Sequence, residues 1–281
     1  MTEAPESTAN YCYRHPDRQS FILCQRCGRT ICPECQTPGA VGVICPECMR
    51  AQRQSAPRTK SRVFSSLRSG AKPVMTYGII AVTAFVFIVQ SLPGIGGSVT
   101  GALQYAGVYS VPGAGVGYGF EPWRMLTSVF VHASILHIAL NMYTLWIFGM
   151  IMEPMLGRGR YLALYLISGF AGSLGVYVLA PLNQPVVGAS GAIFGLVGAF
   201  FVIQRHLGGS STQLLILVGI NLVIGFIPSL GIAWQAHVGG LIGGILVGLI
   251  YVWTRPMRRR AWQIPALAVL SLLLVAGIFL K

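Results

Sequence analysis

Gly188-Ala189-Ser190-Gly191-Ala192-Ile193-Phe194-Gly195 and Ala236-His237-Val238-Gly239-Gly240-Leu241-Ile242-Gly243-Gly244 decide the reading of this chain. Each opens a long apolar run of membrane-spanning character and sets one reactive side chain near its start. A titratable group inside a bilayer is costly and marks a functional site by default. A hydroxyl and an imidazole that meet there make a nucleophile and its base, which points to hydrolysis within the membrane. The glycines carry a second message. Gly191 and Gly195 form a small-xxx-small pair, as do Gly240 and Gly244, and such pairs let helix backbones approach closely. Serine is short, so the two helices must nearly touch for Ser190 to come within about 2.6–3.2 Å of His237.

The composition agrees. Of 281 residues, 54% are hydrophobic and 10% are charged. Soluble domains carry about 25% charged residues, so an ordinary soluble globule is excluded. Seven apolar runs approach the roughly 20 residues that a bilayer requires: 74–92, 134–152, 161–180, 187–205, 213–228, 234–254 and 264–280. The fifth and seventh are short; Pro228 helps end the fifth, and Pro265 suits the first turn of the seventh. The expectation is an all-α polytopic membrane protein. Residues 1–73 differ sharply, holding all seven cysteines and eleven of the twenty Lys and Arg. Met1–Asn10 is polar and lacks an apolar h-region, so no signal peptide is expected there.

Charge orients the spans. Arg50, Arg53, Arg58, Lys60, Arg62, Arg68 and Lys72 precede the first; Arg158 and Arg160 follow the second. Arg205 follows the fourth, and Arg255, Arg258, Arg259 and Arg260 follow the sixth, while the opposite side has only Arg124 and Lys281. The positive-inside rule then predicts a cytoplasmic N-terminus. The net charge of +13 is assigned to topology and to anionic lipid heads rather than to nucleic acid. In this orientation Ser190 and His237 lie at similar depths, a few residues below the outer surface.

A third constellation opens the second span: His132, then His137 and Asn141, four residues apart and so on one helix face. Both can donate hydrogen bonds to the oxyanion that forms when serine attacks an amide, together with the Ser190 backbone N–H. No acid can complete a triad in the membrane: the sole aspartate is Asp17, and Glu121 and Glu153 are read at loop ends. The reading is a Ser–His dyad whose imidazole is held by something other than a carboxylate. Phe194, one turn after Ser190, could stack on His237.

Residues 121–244 resemble the rhomboid intramembrane serine proteases. The matching pieces are Trp123-Arg124, His132-x4-His137-x3-Asn141, Gly188-x-Ser190-Gly191 and Ala236-His237-x2-Gly240-x3-Gly244. Each alone is weak; in this order and on these spans they are specific. The resemblance implies Ser190 as nucleophile and His237 as general base. It implies His137, Asn141 and the Ser190 amide as the oxyanion hole, and His132 in a structural or water-handling role. It further implies a membrane-inserted first loop at about 93–124, a lateral gate formed by that loop or the fifth span, Glu153 as a packing acid, and a six-helix core over 74–254 with a seventh helix in 255–281. Implied partners are transmembrane protein substrates and membrane lipids. The expected location is a bacterial plasma membrane, with the site opening to the outer side and no metal in the chemistry. The alternative is a rhomboid-fold protein that binds clients without cutting; the intact Ser190, His237, His137 and Asn141 argue against it.

Residues 1–49 carry four pairs: Cys12-x2-His15, Cys24-x2-Cys27, Cys32-x2-Cys35 and Cys45-x2-Cys48. Eight such ligands make two closed tetrahedral zinc sites, structural rather than catalytic. The pairs can combine sequentially or as a cross-brace, with Cys12, His15, Cys32 and Cys35 on one ion and Cys24, Cys27, Cys45 and Cys48 on the other. The segment resembles a B-box-type zinc finger, and that resemblance favours the cross-brace. An odd cysteine count and a reducing compartment argue against disulfides. This domain is expected in the cytoplasm, away from the site, with a protein partner as its natural use; residues 50–73 read as a flexible basic linker.

Overall fold

The computed structural model describes residues 10–39, 41–55, 72–113, 119–209, 212–227 and 231–280. The chain divides into two compact units, Met1–Ser61 and Arg62–Lys281. In the first, strand β1 (Tyr11–Cys12) pairs antiparallel with β2 (His15–Gln19), and β3 (Thr37–Pro38) with β4 (Val43–Ile44). Helix α1 (Pro46–Ser55) follows, with proline suited to its first turn. It runs into the stretch read as linker; residues 56–71 of that stretch lie outside the described residues. The core here is mostly sulfur, Cys12, Cys24, Cys32, Cys35 and Cys45, with Ile31 and Ile44. So small a domain buries too little apolar surface to fold on packing alone.

The second unit is helical. Its long elements are α2 (Val74–Gln90), α5 (Ile135–Leu156), α6 (Arg158–Leu179), α7 (Ser190–His206), α8 (Thr212–Gly225), α9 (Trp234–Trp253) and α10 (Gln263–Ala276). Two short helices, α3 (Gly96–Leu103) and α4 (Arg124–Thr127), lie in the connection between α2 and α5. Among the described residues four helical stretches are long and apolar enough to cross a bilayer: α5, α6, α9 and Met257–Phe279. The expected first, fourth and fifth spans form shorter helices of 17, 17 and 14 residues. At 1.5 Å per residue, 17 residues reach about 25 Å, less than the ~30 Å hydrocarbon core. Helix α7, from Ser190 to His206, is therefore shorter than the hydrocarbon core is thick.

Local chemistry sets the boundaries. The Ser134 hydroxyl accepts the His137 N–H (3.1 Å) and caps α5. Glu153 was expected at a loop end, but α5 continues to Leu156 and Glu153 is buried. Its carboxylate accepts from the Met75 N–H (2.9 Å), the Thr76 N–H (2.8 Å) and the Thr76 hydroxyl (2.8 Å). It thus satisfies donors that α2 leaves open at its N-terminus. Gly157, at φ +86°, is the single residue between α5 and α6, a conformation that glycine alone adopts readily. The core lies among α5, α6, α7 and α9 around Leu145, Met152, Tyr165, Leu196 and Val247. The outside is apolar too: Phe85, Leu136, Tyr143, Val223 and Leu272 are exposed, as a lipid-facing surface requires.

Candidate active site

Helices α7 and α9 touch through glycine. A Cβ on Gly240 would overlap the Gly191 carbonyl, and one on Gly244 would overlap the Gly195 carbonyl. The third wall is α6, where Gly172 lies against Gly191 and Gly175 against Gly239. With side chains stripped from these contacts, backbones close to van der Waals range. This approach brings His237 Nε2 to 3.0 Å from Ser190 Oγ. The Phe194 ring stacks on His237, centroids 4.2 Å apart and planes 9° apart. His237 is buried, and its Nδ1 meets no hydrogen-bond partner among the described residues. The imidazole is thus oriented by a ring face.

Ser190 is the first residue of α7. Its backbone N–H and that of Gly191 are among the donors a helix start leaves unpaired, and the helix dipole favours negative charge there. The turn into Ser190 is pinned twice: Gly188 N–H donates to the Ser128 carbonyl (2.9 Å), and Ala189 N–H donates to His132 Nε2 (3.4 Å). Gly188 sits at φ +120°, and a Cβ there would strike the His137 ring at Nε2 and Cε1. His137 therefore lies directly over the backbone that leads into Ser190. Its Nδ1 accepts the Ala133 N–H (3.4 Å), which assigns the ring proton to Nε2, on the Gly188 side.

The expected residues divide as follows. Ser190, His237 and Phe194 form one contact group, and His137 and His132 form a second, their rings edge-to-face at 5.0 Å. Asn141 is buried, and its amide donates to the His137 carbonyl (2.8 Å), bracing the helix that carries His137. Gln90 went unread in the sequence. Its side chain, on α2, clamps the His132 backbone, donating to its carbonyl (2.6 Å) and accepting its N–H (3.1 Å). A glutamine at the end of an apolar run reads as a helix terminus, and only the tertiary contact reveals its role. Farther out, buried Arg124 pairs with Glu121, donates to the Gly101 and Gln104 carbonyls and lies under the Tyr109 ring at 4.1 Å. It ties the described part of the first loop to the start of α4, whereas Trp123 is exposed.

In the N-terminal unit the eight ligands fall into two groups, Cys12, His15, Cys32, Cys35 and Cys24, Cys27, Cys45, Cys48, the ligand atoms of each lying within 4.8 Å of one another. This is the cross-brace pairing. His15 Nδ1 lies 3.8, 3.4 and 3.5 Å from the sulfurs of Cys12, Cys32 and Cys35. Tetrahedral zinc with bonds of about 2.0–2.3 Å separates its ligands by roughly 3.4–3.8 Å, so the residues fit a metal ion. The local groups act on the thiols in both directions: burial pushes Cys35 up to about 11, while other thiols are lowered. The Arg29 guanidinium, 3.3 Å from Cys27 Sγ, holds that thiol below its ordinary range. At Cys24 burial pushes the thiol up, but backbone N–H bonds, from Cys45 above all, bring it down to about 6.

Comparison with known proteins bears on the family of the chain. The family model described as Rhomboid domain matches residues 119–254. The chain is 35% identical over 191 residues to "Putative rhomboid protease YdcA" of Bacillus subtilis, 66% of this chain and 92% of that protein. It is 36% identical over 192 residues to "Rhomboid protease GluP" of the same organism, 66% of this chain but 36% of GluP. It is 37% identical over 142 residues to "RHOMBOID-like protein 6, mitochondrial" of Arabidopsis thaliana, covering 47% of this chain and 44% of that protein. The chain thus spans about a third of GluP and nearly all of YdcA.

Proposed function

The chain belongs to the rhomboid family, and from that premise we propose that it is an intramembrane serine protease, hydrolysing peptide bonds in or near transmembrane segments of other membrane proteins. The observation that carries this reading is the 3.0 Å contact between Ser190 Oγ and His237 Nε2 on two helices in glycine contact. His237 Nε2 takes the hydroxyl proton as Oγ adds to the scissile carbonyl, then passes it to the leaving amine. Water activated by the same nitrogen frees the acyl-enzyme. The developing oxyanion meets the Ser190 N–H and His137 Nε2–H. The second N–H of Asn141, beyond the one given to the His137 carbonyl, is a third donor. Each such donor supplies about 2.7–4 kcal/mol of transition-state stabilisation, so His137→Ala should lower kcat by about 10²–10³.

The substrate helix must unwind to expose a peptide bond, which helix-weakening Gly or Pro near the cut makes easier. By the charge asymmetry of the loops, the N-terminus is cytoplasmic and the site opens to the outer side of, by this reading, a bacterial plasma membrane. The two Cys/His groups hold structural zinc and take no part in the chemistry. The test is proteolysis by the purified full chain in liposomes, against single-span substrates, beside Ser190→Ala and His237→Ala. Either change should remove cleavage by about 10⁴-fold or more while labelling of wild-type Ser190 by a fluorophosphonate proceeds. Cleavage that survives in either variant overturns the dyad. A wild-type serine that neither cleaves nor labels overturns the protease reading in favour of a non-cutting client binder.

A further inference from the structure

The loops after the second, fourth and sixth spans meet at one end of the helical unit. There a cavity of about 580 Å³ lies between the ends of α5, α6, α7 and α9 and the start of α10. Its wall has two characters. Met155, Leu156, Ile203, Leu207 and Val252 make an apolar side, and Arg160, Arg255 and Arg260 bring three guanidinium groups. None of the three pairs with a carboxylate among the described residues. Three cations around one cavity without a counter-charge repel one another, and an anion that entered would relieve that cost.

Arg255 and Arg260 are exposed, whereas Arg160 is half-buried and held in place. Its Nε donates to Gln263 Oε1 (2.6 Å), Gln263 Nε2 donates to Thr254 Oγ1 (2.8 Å), and the Tyr251 hydroxyl donates to the Arg160 carbonyl (2.8 Å). Tyr251, Thr254 and Gln263 are all buried. The guanidinium is fixed through one nitrogen, leaving the terminal nitrogens to meet a phosphate in the forked geometry that arginine favours.

We infer that this cavity is a binding site for one anionic phospholipid, its headgroup phosphate held by Arg160, Arg255 and Arg260 and the start of its acyl chains lying on the apolar wall. The volume is in the range of small-molecule sites, larger than a free phosphate fills. Five helix ends converge here, which is the level at which lipid phosphates lie. The half-apolar wall favours a lipid over a soluble phosphate. The site needs no protease activity and stands apart from the Ser190–His237 pair.

Native mass spectrometry of the full chain in mild detergent tests it, with phosphatidylglycerol as probe, phosphatidylcholine as the neutral comparison and inorganic phosphate as competitor. One phosphatidylglycerol should be retained over phosphatidylcholine. The double change Arg255→Gln and Arg260→Gln should weaken it roughly 25-fold, at about fivefold for each arginine. The double change Arg205→Gln and Arg258→Gln removes the same charge from residues that do not line the cavity and should change retention less than twofold. Equal loss in both doubles would mean a diffuse surface effect and overturn the site. Equal retention of the two lipids would overturn it too, as would displacement of the lipid by millimolar phosphate. If the first double does not purify folded, the wild-type selectivity and the phosphate competition decide the matter by themselves.

Discussion

In the N-terminal unit eight side chains converge on two points, and the polypeptide between them is mostly turns and strands of two to five residues. In the helical unit the decisive contacts are between backbones, because Gly191, Gly195, Gly240 and Gly244 carry no side chain to hold the helices apart. The first unit is organised around what side chains bind, the second around what they omit. A ligand set is insensitive to the exact path of the backbone, provided that each sulfur and nitrogen arrives. A serine that must hydrogen-bond across a helix pair depends on the path itself, to within a fraction of an ångström. The two regions should therefore fail in different ways.

Metal removal gives the largest effect and bears on the first region alone. Structural zinc contributes about 10–16 kcal/mol of apparent binding energy in small domains at neutral pH. Chelation should release two equivalents of zinc and turn residues 10–55 into a protease-sensitive segment, while the rate at which a fluorophosphonate labels Ser190 stays within a factor of two. A parallel fall in labelling would break the contrast, because it would mean that the metal-organised unit also shapes the reactive serine.

Gly240→Ala comes next and bears on the second region alone. The added Cβ would overlap the Gly191 carbonyl one residue from Ser190, so α7 and α9 must separate. A shift of about 1 Å at a reacting pair costs on the order of 10²-fold in rate. Overpacking a tight contact also costs about 1–3 kcal/mol of stability. Cleavage should fall far more than the melting temperature does, and zinc content should stay at two equivalents. Unchanged cleavage would show that the glycine contact is not what brings Ser190 to His237.

The two regions also differed in how readily their sequences could be read. The two Cys/His groups were open to inspection because paired residues at fixed spacing fit a tetrahedral ligand set locally, and only the pairing needed three dimensions. The Ser190–His237 contact was legible for a related reason: both are rare polar groups in apolar runs, each followed by small residues at helical spacing. The helix ends were harder. Hydropathy ended the second span near residue 152 and set Glu153 in a loop, but a buried carboxylate that accepts three hydrogen bonds from the start of α2 is stable inside a helix. The α6 glycines were missed because Gly172 and Gly175 act on partners far away in sequence. Asn141 was read as a donor to the oxyanion, whereas its amide also serves the His137 carbonyl.

Gln90 gives the smallest effect and the finest test of the contrast. It touches neither Ser190 nor His237; it holds the His132 backbone by both its N–H and its carbonyl. His132 accepts the Ala189 N–H and lies edge-on to His137, so the amide acts on the proposed oxyanion donors through one intermediate residue. Gln90→Met keeps length and volume but removes both hydrogen bonds. Neutral hydrogen bonds contribute about 0.5–1.5 kcal/mol each, and part of this should appear as misplacement of His137. We expect kcat to fall roughly tenfold, in line with about 1.4 kcal/mol, with KM within a factor of two, since no substrate contact is touched. The change should add little to His137→Ala, because both act on the same donor, and should add more to Gly240→Ala, though less than fully, because the Ala189 N–H at the start of α7 meets His132. If Gln90→Met lowers the melting temperature without moving kcat, Gln90 only satisfies a backbone turn, and the positioning chain from α2 to the oxyanion donors does not exist.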